Sequence, residues 1–126
     1  MEWNSSMLKF SRSKIPLVLD ENRLFLKPEL ESKGFKIITY PQGMTDEELI
    51  EEKLPGRIFV TNNPRDFIYA ASQQDFSIID TKLVTDDPKG LAEIINRAWV
   101  DFELRARHPA FILSLRQDGN HQIRDL

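Results

Sequence analysis

Four short apolar segments alternate along this chain with stretches of helical character, and this alternation constrains the fold more than any other feature. The segments cover residues 15–19, 35–39, 57–61 and 76–80. The first is continuously apolar, which suits a strand that is buried on both faces of a sheet. Alternation with short connections predicts an α/β domain in which a mostly parallel sheet is flanked by helices.

Helix signals lie between the first three segments. Residues 23–33 carry apolar positions and end at a Lys-Gly pair, a common helix stop, while Pro28 is expected to form an early turn or to split this segment. Thr45 and Glu48 have the spacing of a capping box, in which each side chain bonds the backbone of the other residue. This pair predicts a helix over 45–53.

Two more helices are predicted after the third and fourth strands. Asn63 is expected to cap a short helix that has Pro64 at its first position. The longest helix is predicted for residues 86–107, where apolar residues recur at helical spacing on one face. That face consists of Leu91, Ile94, Ile95, Ala98, Trp99 and Phe102. We interpret this face as part of the core rather than as a cofactor site.

The end of the chain has the pattern of a β-hairpin. Residues 110–116 and 121–126 are predicted to be strands, and they are joined by Gln-Asp-Gly-Asn at 117–120, a strong turn signal. We therefore expect one domain over residues 15–126 with a C-terminal hairpin. Residues 1–14 are expected to be a polar extension that docks on the domain or on a partner.

Composition excludes several classes of protein. The 126 residues include no cysteine and two histidines, so a metal ion would be held mainly by oxygen ligands. A net charge of −3 disfavours a broad basic face for duplex DNA. Because no apolar run is long enough to cross a bilayer and the N-terminus lacks the pattern of a signal peptide, we expect a cytoplasmic protein without membrane contact.

Acidic and polar residues follow the predicted strands, and the carboxyl ends of parallel strands share one edge of a sheet, where ligands bind. The residues at these ends are Asp20, Glu21, Thr61, Asn63 and Asp80, with Asp46 and Asp66 in the helices that follow strands two and three. Several carboxylates in one place favour a bound Mg²⁺ or Mn²⁺. Such an ion activates water and neutralises charge on a phosphodiester, which is nuclease chemistry.

Purely structural roles compete with this interpretation. Asp46 lies in a first helical turn, where a carboxylate is stabilised by the helix dipole. Asn63 and Asp66 can cap a helix, and Asp80 can begin a polar loop. Asp20 is the hardest to explain in this way, since a carboxylate directly after a buried strand is costly unless it is partnered or lies in a solvated cleft.

The order of these segments resembles the small PIN-like proteins of the DUF5615 type, which are related to the Mut7-C domain. The motifs that carry the resemblance are Leu-Asp-Glu-Asn at 19–22, Gly-Phe-Lys-Ile-Ile at 34–38, Thr-Asp-Glu-Glu at 45–48, Gly-Arg-Ile-Phe-Val-Thr at 56–61, Asp-Phe at 66–67 and the terminal hairpin. Each motif is weak alone, but their order and spacing are fairly specific. The resemblance covers about residues 15–126.

This resemblance implies a PIN-like fold and an endoribonuclease that depends on Mg²⁺ or Mn²⁺ and acts on RNA, often as the toxin-like partner of a small antitoxin. Asp20 and Asp66 would hold the metal and Asp46 would assist. Thr61 or Asn63 would orient water or phosphate. Glu21 and Asp80 complete the expected binding residues at the same edge.

The chain departs from the family at one position of this site. Members usually carry Asp two residues after the threonine of strand three, whereas this chain has Asn63, followed by Pro64 in what looks like an insertion. Asparagine brings no negative charge, so metal affinity is expected to fall. A catalytically degenerate binding protein, such as an immunity or antitoxin-like partner that covers a basic active site, therefore stays open, as does a homodimer.

Overall fold

The computed structural model describes residues 15–104 and 110–126. Within these ranges the strands are β1 Leu17–Leu19, β2 Ile37–Ile38, β3 Ile58–Thr61, β4 Ser77–Asp80, β5 Phe111–Ser114 and β6 Gln122–Asp125. The α-helices are α1 Lys27–Ser32, α2 Asp46–Glu52, α3 Ile68–Gln74 and α4 Pro88–Asp101. Short 3-10 helices over Glu21–Leu26 and Arg65–Phe67 precede α1 and α3. The predicted order of elements is thereby confirmed.

The strands form one sheet in the order β2-β1-β3-β4-β5-β6. Neighbours from β2 to β5 are parallel, and β6 is antiparallel to β5 as the second strand of the predicted hairpin. The expected fold class, a mostly parallel α/β sheet flanked by helices with a C-terminal hairpin, is confirmed. No helix in the described part of the chain is long and apolar enough to cross a membrane.

Alternate residues of the strands supply two separate cores. Leu17 and Leu19 face one side of the sheet, where they pack with the apolar residues of α1 and α4. Val18 and Phe59 face the other side, where they pack with those of α2 and α3. The chain therefore leaves β1 toward one face and β3 toward the opposite face. In open α/β sheets, a crevice forms at such a switch point, and ligands bind there.

The predicted helix boundaries agree with the structure except at the end of α4 and at the start of the short helix after β3. Pro28 lies in the first turn of α1 and the preceding residues form the 3-10 helix, so the predicted split of this segment is confirmed. The predicted apolar face packs on the core, with Ile94 and Phe102 only partly buried. The helix ends at Asp101 rather than at residue 107. It ends early because Glu103 has a φ of 50°, in the left-handed region that commonly closes helices. Residues 105–107 of this predicted helix lie outside the described ranges, as does the predicted extension over 1–14.

Asn63 is not the helix cap that its position before Pro64 predicts. Pro64 occupies the cap position of the 3-10 helix, and no side chain bonds the first turn. The backbone N–H of Asn63 instead donates to the hydroxyl of Thr61 at 3.0 Å. Asp66, for which capping was one alternative, does not bond the first turn either. Three residues separate β3 from the 3-10 helix over Arg65–Phe67, and the hydroxyl of Thr61 holds this connection through the N–H of Asn63.

Candidate functional site

Asp20 lies at the carboxyl end of β1, at the switch point of the sheet. Its backbone N–H donates to the carbonyl of Val60 at 3.0 Å, which extends the pairing of β1 with β3. Its Oδ2 accepts from the hydroxyl of Thr61 at 2.7 Å, and its Oδ1 accepts from the backbone N–H of Glu21 at 2.7 Å and from the hydroxyl of Tyr40 at 3.2 Å. Groups at the carboxyl ends of β1, β2 and β3 therefore fix the orientation of one carboxylate.

Thr61 connects this carboxylate to the rest of the sheet edge. Its side chain is fully buried, donates to Asp20 and accepts from the N–H of Asn63. Its carbonyl accepts from the N–H of Thr81 at 2.9 Å and from the hydroxyl of Thr81 at 3.3 Å. Because the hydroxyl and the carbonyl of Thr61 each form two hydrogen bonds, the loops after β3 and β4 are held in fixed positions relative to Asp20.

Strand register places four polar side chains on one face at the carboxyl ends of adjacent strands. This polar row consists of Asp20, Thr61, Asp80 and Ser114. Asp80 is 4% exposed, and its Oδ1 accepts from the N–H of Lys82 at 3.0 Å while its Oδ2 lies 3.5 Å from the Lys82 ammonium. Two strand spacings separate the backbones of Asp20 and Asp80, a distance of about 10 Å.

Arg23 forms a second network directly below the end of β1. Its side chain is 3% exposed and forms two parallel hydrogen bonds to Asp86, at 2.7 and 2.9 Å. It also donates to the hydroxyl of Thr81 at 3.3 Å and to the carbonyl of Asn22 at 2.9 Å. The hydrogen bonds from Arg23 hold the pKa of Asp86 below its usual range. This bridge ties the loop after β1 to the loop before α4.

The residues predicted for the site divide into two groups. The first group lies at the carboxyl edge, where the hydrogen bonds and strand pairing described above join its members through Thr61 and the backbone. It consists of Asp20, Glu21, Thr61, Asn63 and Asp80.

Asp46 and Asp66 form the other group. Both are exposed and form no side-chain hydrogen bond or ion pair within the described ranges. The predicted capping box is confirmed, because Thr45 and Glu48 bond each other's backbone. No group of three or more carboxylates or imidazoles able to hold a metal ion occurs in residues 15–104 and 110–126.

A pocket of about 380 Å³ opens beside Asp20 and is lined by Glu21, Leu24, Tyr40 and Gln42. Tyr40 belongs both to this pocket and to the hydrogen bonds of Asp20. Sequence reasoning missed Tyr40, Arg23 and Asp86. A signal was available for Tyr40, because it follows β2 and therefore lies at the same edge. No local signal pairs Arg23 with a residue 63 positions away.

Burial and the neighbouring negative charge of Asp20, in that order, strongly raise the pKa of the Tyr40 hydroxyl. The neutral phenol donates to Asp20, whereas a phenolate would face a carboxylate. We therefore expect Tyr40 to stay protonated in alkaline solution until well above the pH at which a solvent-exposed phenol ionises. In an Asp20→Asn variant, the pKa of Tyr40 is expected to fall. The substitution removes the negative charge beside the phenol and replaces the carboxylate acceptor by a weaker amide oxygen.

Ultraviolet titration checks this prediction, since the chain has only two tyrosines. A Tyr69→Phe background leaves Tyr40 as the sole phenol, and Tyr69 is 79% exposed, so this change should not disturb the fold. Below the ordinary phenol pKa of about 10, the contribution of Tyr40 to stability is fully present, and it is lost as the pH rises further. An unchanged Tyr40 titration in Asp20→Asn would contradict the contact.

Comparisons of the chain with protein-family models, with curated proteins and with solved structures gave no match.

Proposed function

We propose that this protein is a PIN-like endoribonuclease that depends on Mg²⁺ or Mn²⁺ and acts at the carboxyl edge around Asp20. One observation carries the proposal: the Asp20 carboxylate is held at the switch point of the sheet by Thr61, Tyr40 and the N–H of Glu21. In α/β sheets, this is the place where ligands bind. Ligating carboxylates are commonly oriented by such outer hydrogen bonds.

Asp20 could hold a magnesium-type ion only if water and substrate supplied most of its other ligands. A carboxylate can accept about four hydrogen bonds, two on each oxygen. Asp20 accepts two on Oδ1 and one on Oδ2, so one acceptor site stays open on Oδ2. Mg²⁺ is usually held by one or two carboxylates together with water and phosphate oxygens. Asp20 would be the first ligand. Asp66, exposed in the 3-10 helix after β3, would be the second, and exposed Asp46 would assist from the start of α2.

The bound ion would supply a nucleophilic water and would neutralise charge on the phosphodiester. The residues of the chain orient the reaction. Thr61 and Tyr40 keep the Asp20 carboxylate in place, and the loop at Asn63 offers an amide that can bond water or phosphate. The adjacent pocket, bordered by Tyr40 and Leu24, has room for a nucleotide base of the RNA.

The test is cleavage of a mixed RNA pool by the purified protein with Mn²⁺ or Mg²⁺. Asp20→Asn is expected to lower the cleavage rate by about 10- to 100-fold or more. Loss of a group that only orients a metal ligand already has an effect of this size. Asp75→Asn is the matched control, because Asp75 is exposed and its left-handed backbone suits asparagine. Equal rates for wild type and Asp20→Asn would sink the proposal, as would an intact RNA pool.

A second candidate function is favoured by the surface of α2. Five of the seven residues of this helix are exposed carboxylates, and no basic residue lies in its last turn. The five are Asp46, Glu47, Glu48, Glu51 and Glu52. Such a surface complements a basic partner, and the chain would then be a catalytically degenerate binding protein that covers another protein's basic site. On this view, Asp20 caps the first 3-10 helix and holds no metal.

The two candidates differ in one pair of variants. If the chain is a binding protein, Glu47→Lys with Glu51→Lys should abolish salt-sensitive capture of the partner, while Asp20→Asn should have no effect on it. If the chain is a ribonuclease, Asp20→Asn should lower the cleavage rate by about 10- to 100-fold or more. Charge reversal on α2 should then leave cleavage of a short substrate within a few-fold of wild type.

A further inference from the structure

We propose that two copies of this chain associate through their β6 strands and form one continuous sheet across a two-fold axis. β6 is the last strand of the sheet, and in the described part of the chain it pairs with β5 alone. Three of its four residues, Gln122, Arg124 and Asp125, are exposed. An unpaired edge of this kind is a template for another strand. This inference stands independently of the proposed function.

The hydrogen bonds of the hairpin show which backbone groups of β6 point outward. The N–H of Leu126 donates to the carbonyl of Ala110 at 2.9 Å, so this pair is a hydrogen-bonded pair of the ladder. In antiparallel pairs, hydrogen-bonded and non-hydrogen-bonded positions alternate. The N–H and C=O groups of Ile123 and Asp125 are therefore directed away from β5, toward solvent.

Symmetry limits how two such edges can meet. Two identical strands that pair antiparallel are related by an axis perpendicular to the sheet, so residues that face each other point to the same face of the sheet. The axis must then pass beside one residue, which faces its own copy. A centre at Ile123 places Ile123 opposite Ile123, and Gln122 opposite Arg124 of the second copy. It also places His121 opposite Asp125.

The alternative centres are less favourable. A centre at Arg124 opposes two guanidinium groups, and a centre at Asp125 opposes two carboxylates. Like charges directly opposite each other destabilise a strand pair. A centre at Gln122 gives too little overlap, because only Gln122 would then face a β6 residue of the second copy. Charge and overlap therefore select the Ile123 centre, which uses the outward backbone groups of that residue.

The other edge of the sheet does not offer the same opportunity. β2 has two residues, Ile37 and Ile38, and both are partly buried. A pairing there would add few backbone hydrogen bonds. The four residues of β6 at the opposite edge provide the longer template. The geometry thus points to a closed dimer through one edge, rather than to a chain of copies joined through both.

The first test is the mass in solution, measured by size-exclusion chromatography with light scattering. Wild type is expected to be a dimer, and Ile123→Pro a monomer with unchanged circular dichroism. Proline removes the outward N–H of residue 123 without breaking a bond to β5, which is the position that an edge strand tolerates. Ile123→Val keeps the N–H and should remain a dimer. A monomeric wild type at its highest soluble concentration would overturn the inference.

The second test reports the register, and it uses the absence of cysteine from the chain. In the Ile123-centred dimer, an Ile123→Cys variant brings its two Cβ atoms to about 4.5–5.5 Å, close enough for oxidative cross-linking after a small adjustment. In Asp125→Cys, the thiols lie several residues apart along the strands and should not cross-link. Cross-linking of the Asp125 variant alone, or of neither, would contradict this dimer.

Discussion

Asp86→Ala is expected to reduce the free energy of unfolding by about 3 kcal/mol, although Asp86 is a surface residue. Its side chain is 58% exposed, whereas that of its partner Arg23 is 3% exposed. Removing the carboxylate leaves a buried guanidinium without its two charge-assisted hydrogen bonds. The reverse change, Arg23→Met, leaves a carboxylate that water can solvate, so we expect a smaller loss of about 1–2 kcal/mol.

A double-mutant cycle separates this mechanism from ordinary loss of contact. In an Arg23→Met background, Asp86→Ala should have almost no further effect, because no buried charge remains to be left unpaired. Glu52→Ala is the control for loss of an exposed carboxylate and should stay within about 0.5 kcal/mol of wild type. Denaturant unfolding measures the four proteins of the cycle and the Glu52→Ala control. An Asp86→Ala loss no larger than that of Glu52→Ala would refute the bridge.

The bridge also has a pH dependence with a defined sign. Arg23 lowers the pKa of Asp86 in the folded chain, so folding favours the ionised carboxylate. Its contribution is fully present above the ordinary carboxyl pKa of about 4 and is lost as the pH falls through the lowered value. The stability difference between wild type and Asp86→Ala should therefore shrink in acid below about pH 4.

Phe59→Ala is expected to destabilise the protein by about 3–5 kcal/mol, the usual cost of removing a fully buried aromatic ring. Phe59 is fully buried on the face of the sheet that carries α2 and α3, and its ring centroid lies 4.7 Å from that of Phe67. Phe67 belongs to the 3-10 helix that follows β3. The ring pair therefore fastens the segment that carries Asn63 and Asp66 to the sheet beside the candidate site.

Phe59→Ala should affect the candidate site at the carboxyl edge as well as the stability of the fold. With the ring removed, the loop after β3 loses its anchor, and hydrogen exchange of the Asn63 and Phe67 amides should accelerate more than that of β4. Tyr69→Ala removes a ring of similar size that is 79% exposed, and it should change stability by less than about 0.5 kcal/mol. Equal losses for the two variants would show that Phe59 does not carry the packing described.

Local patterns predicted much of this fold because the interactions behind them are local. The capping box of Thr45 and Glu48 spans a single turn of helix, and the hairpin turn at 117–120 brings together strands that are neighbours in sequence. Asp20 and Thr61 were assigned to the edge from the same kind of information, since each ends an apolar run. Asn63 was wrongly predicted to cap a helix with its side chain. The bond that it forms, from its backbone N–H to the hydroxyl of Thr61, leaves no distinct signal in the sequence.

The sequence by itself determined that this chain builds a parallel α/β sheet with acidic and polar residues at its strand ends, because burial imposes apolar runs of strand length and turns need particular residues. Only the tertiary structure decided which ends are neighbours. The order β2-β1-β3-β4 places Asp20 against Thr61 and Tyr40, pairs Arg23 with Asp86, and leaves Asp46 and Asp66 exposed. The order and register of β1 to β4 arise from packing between distant segments, and no local pattern encodes them.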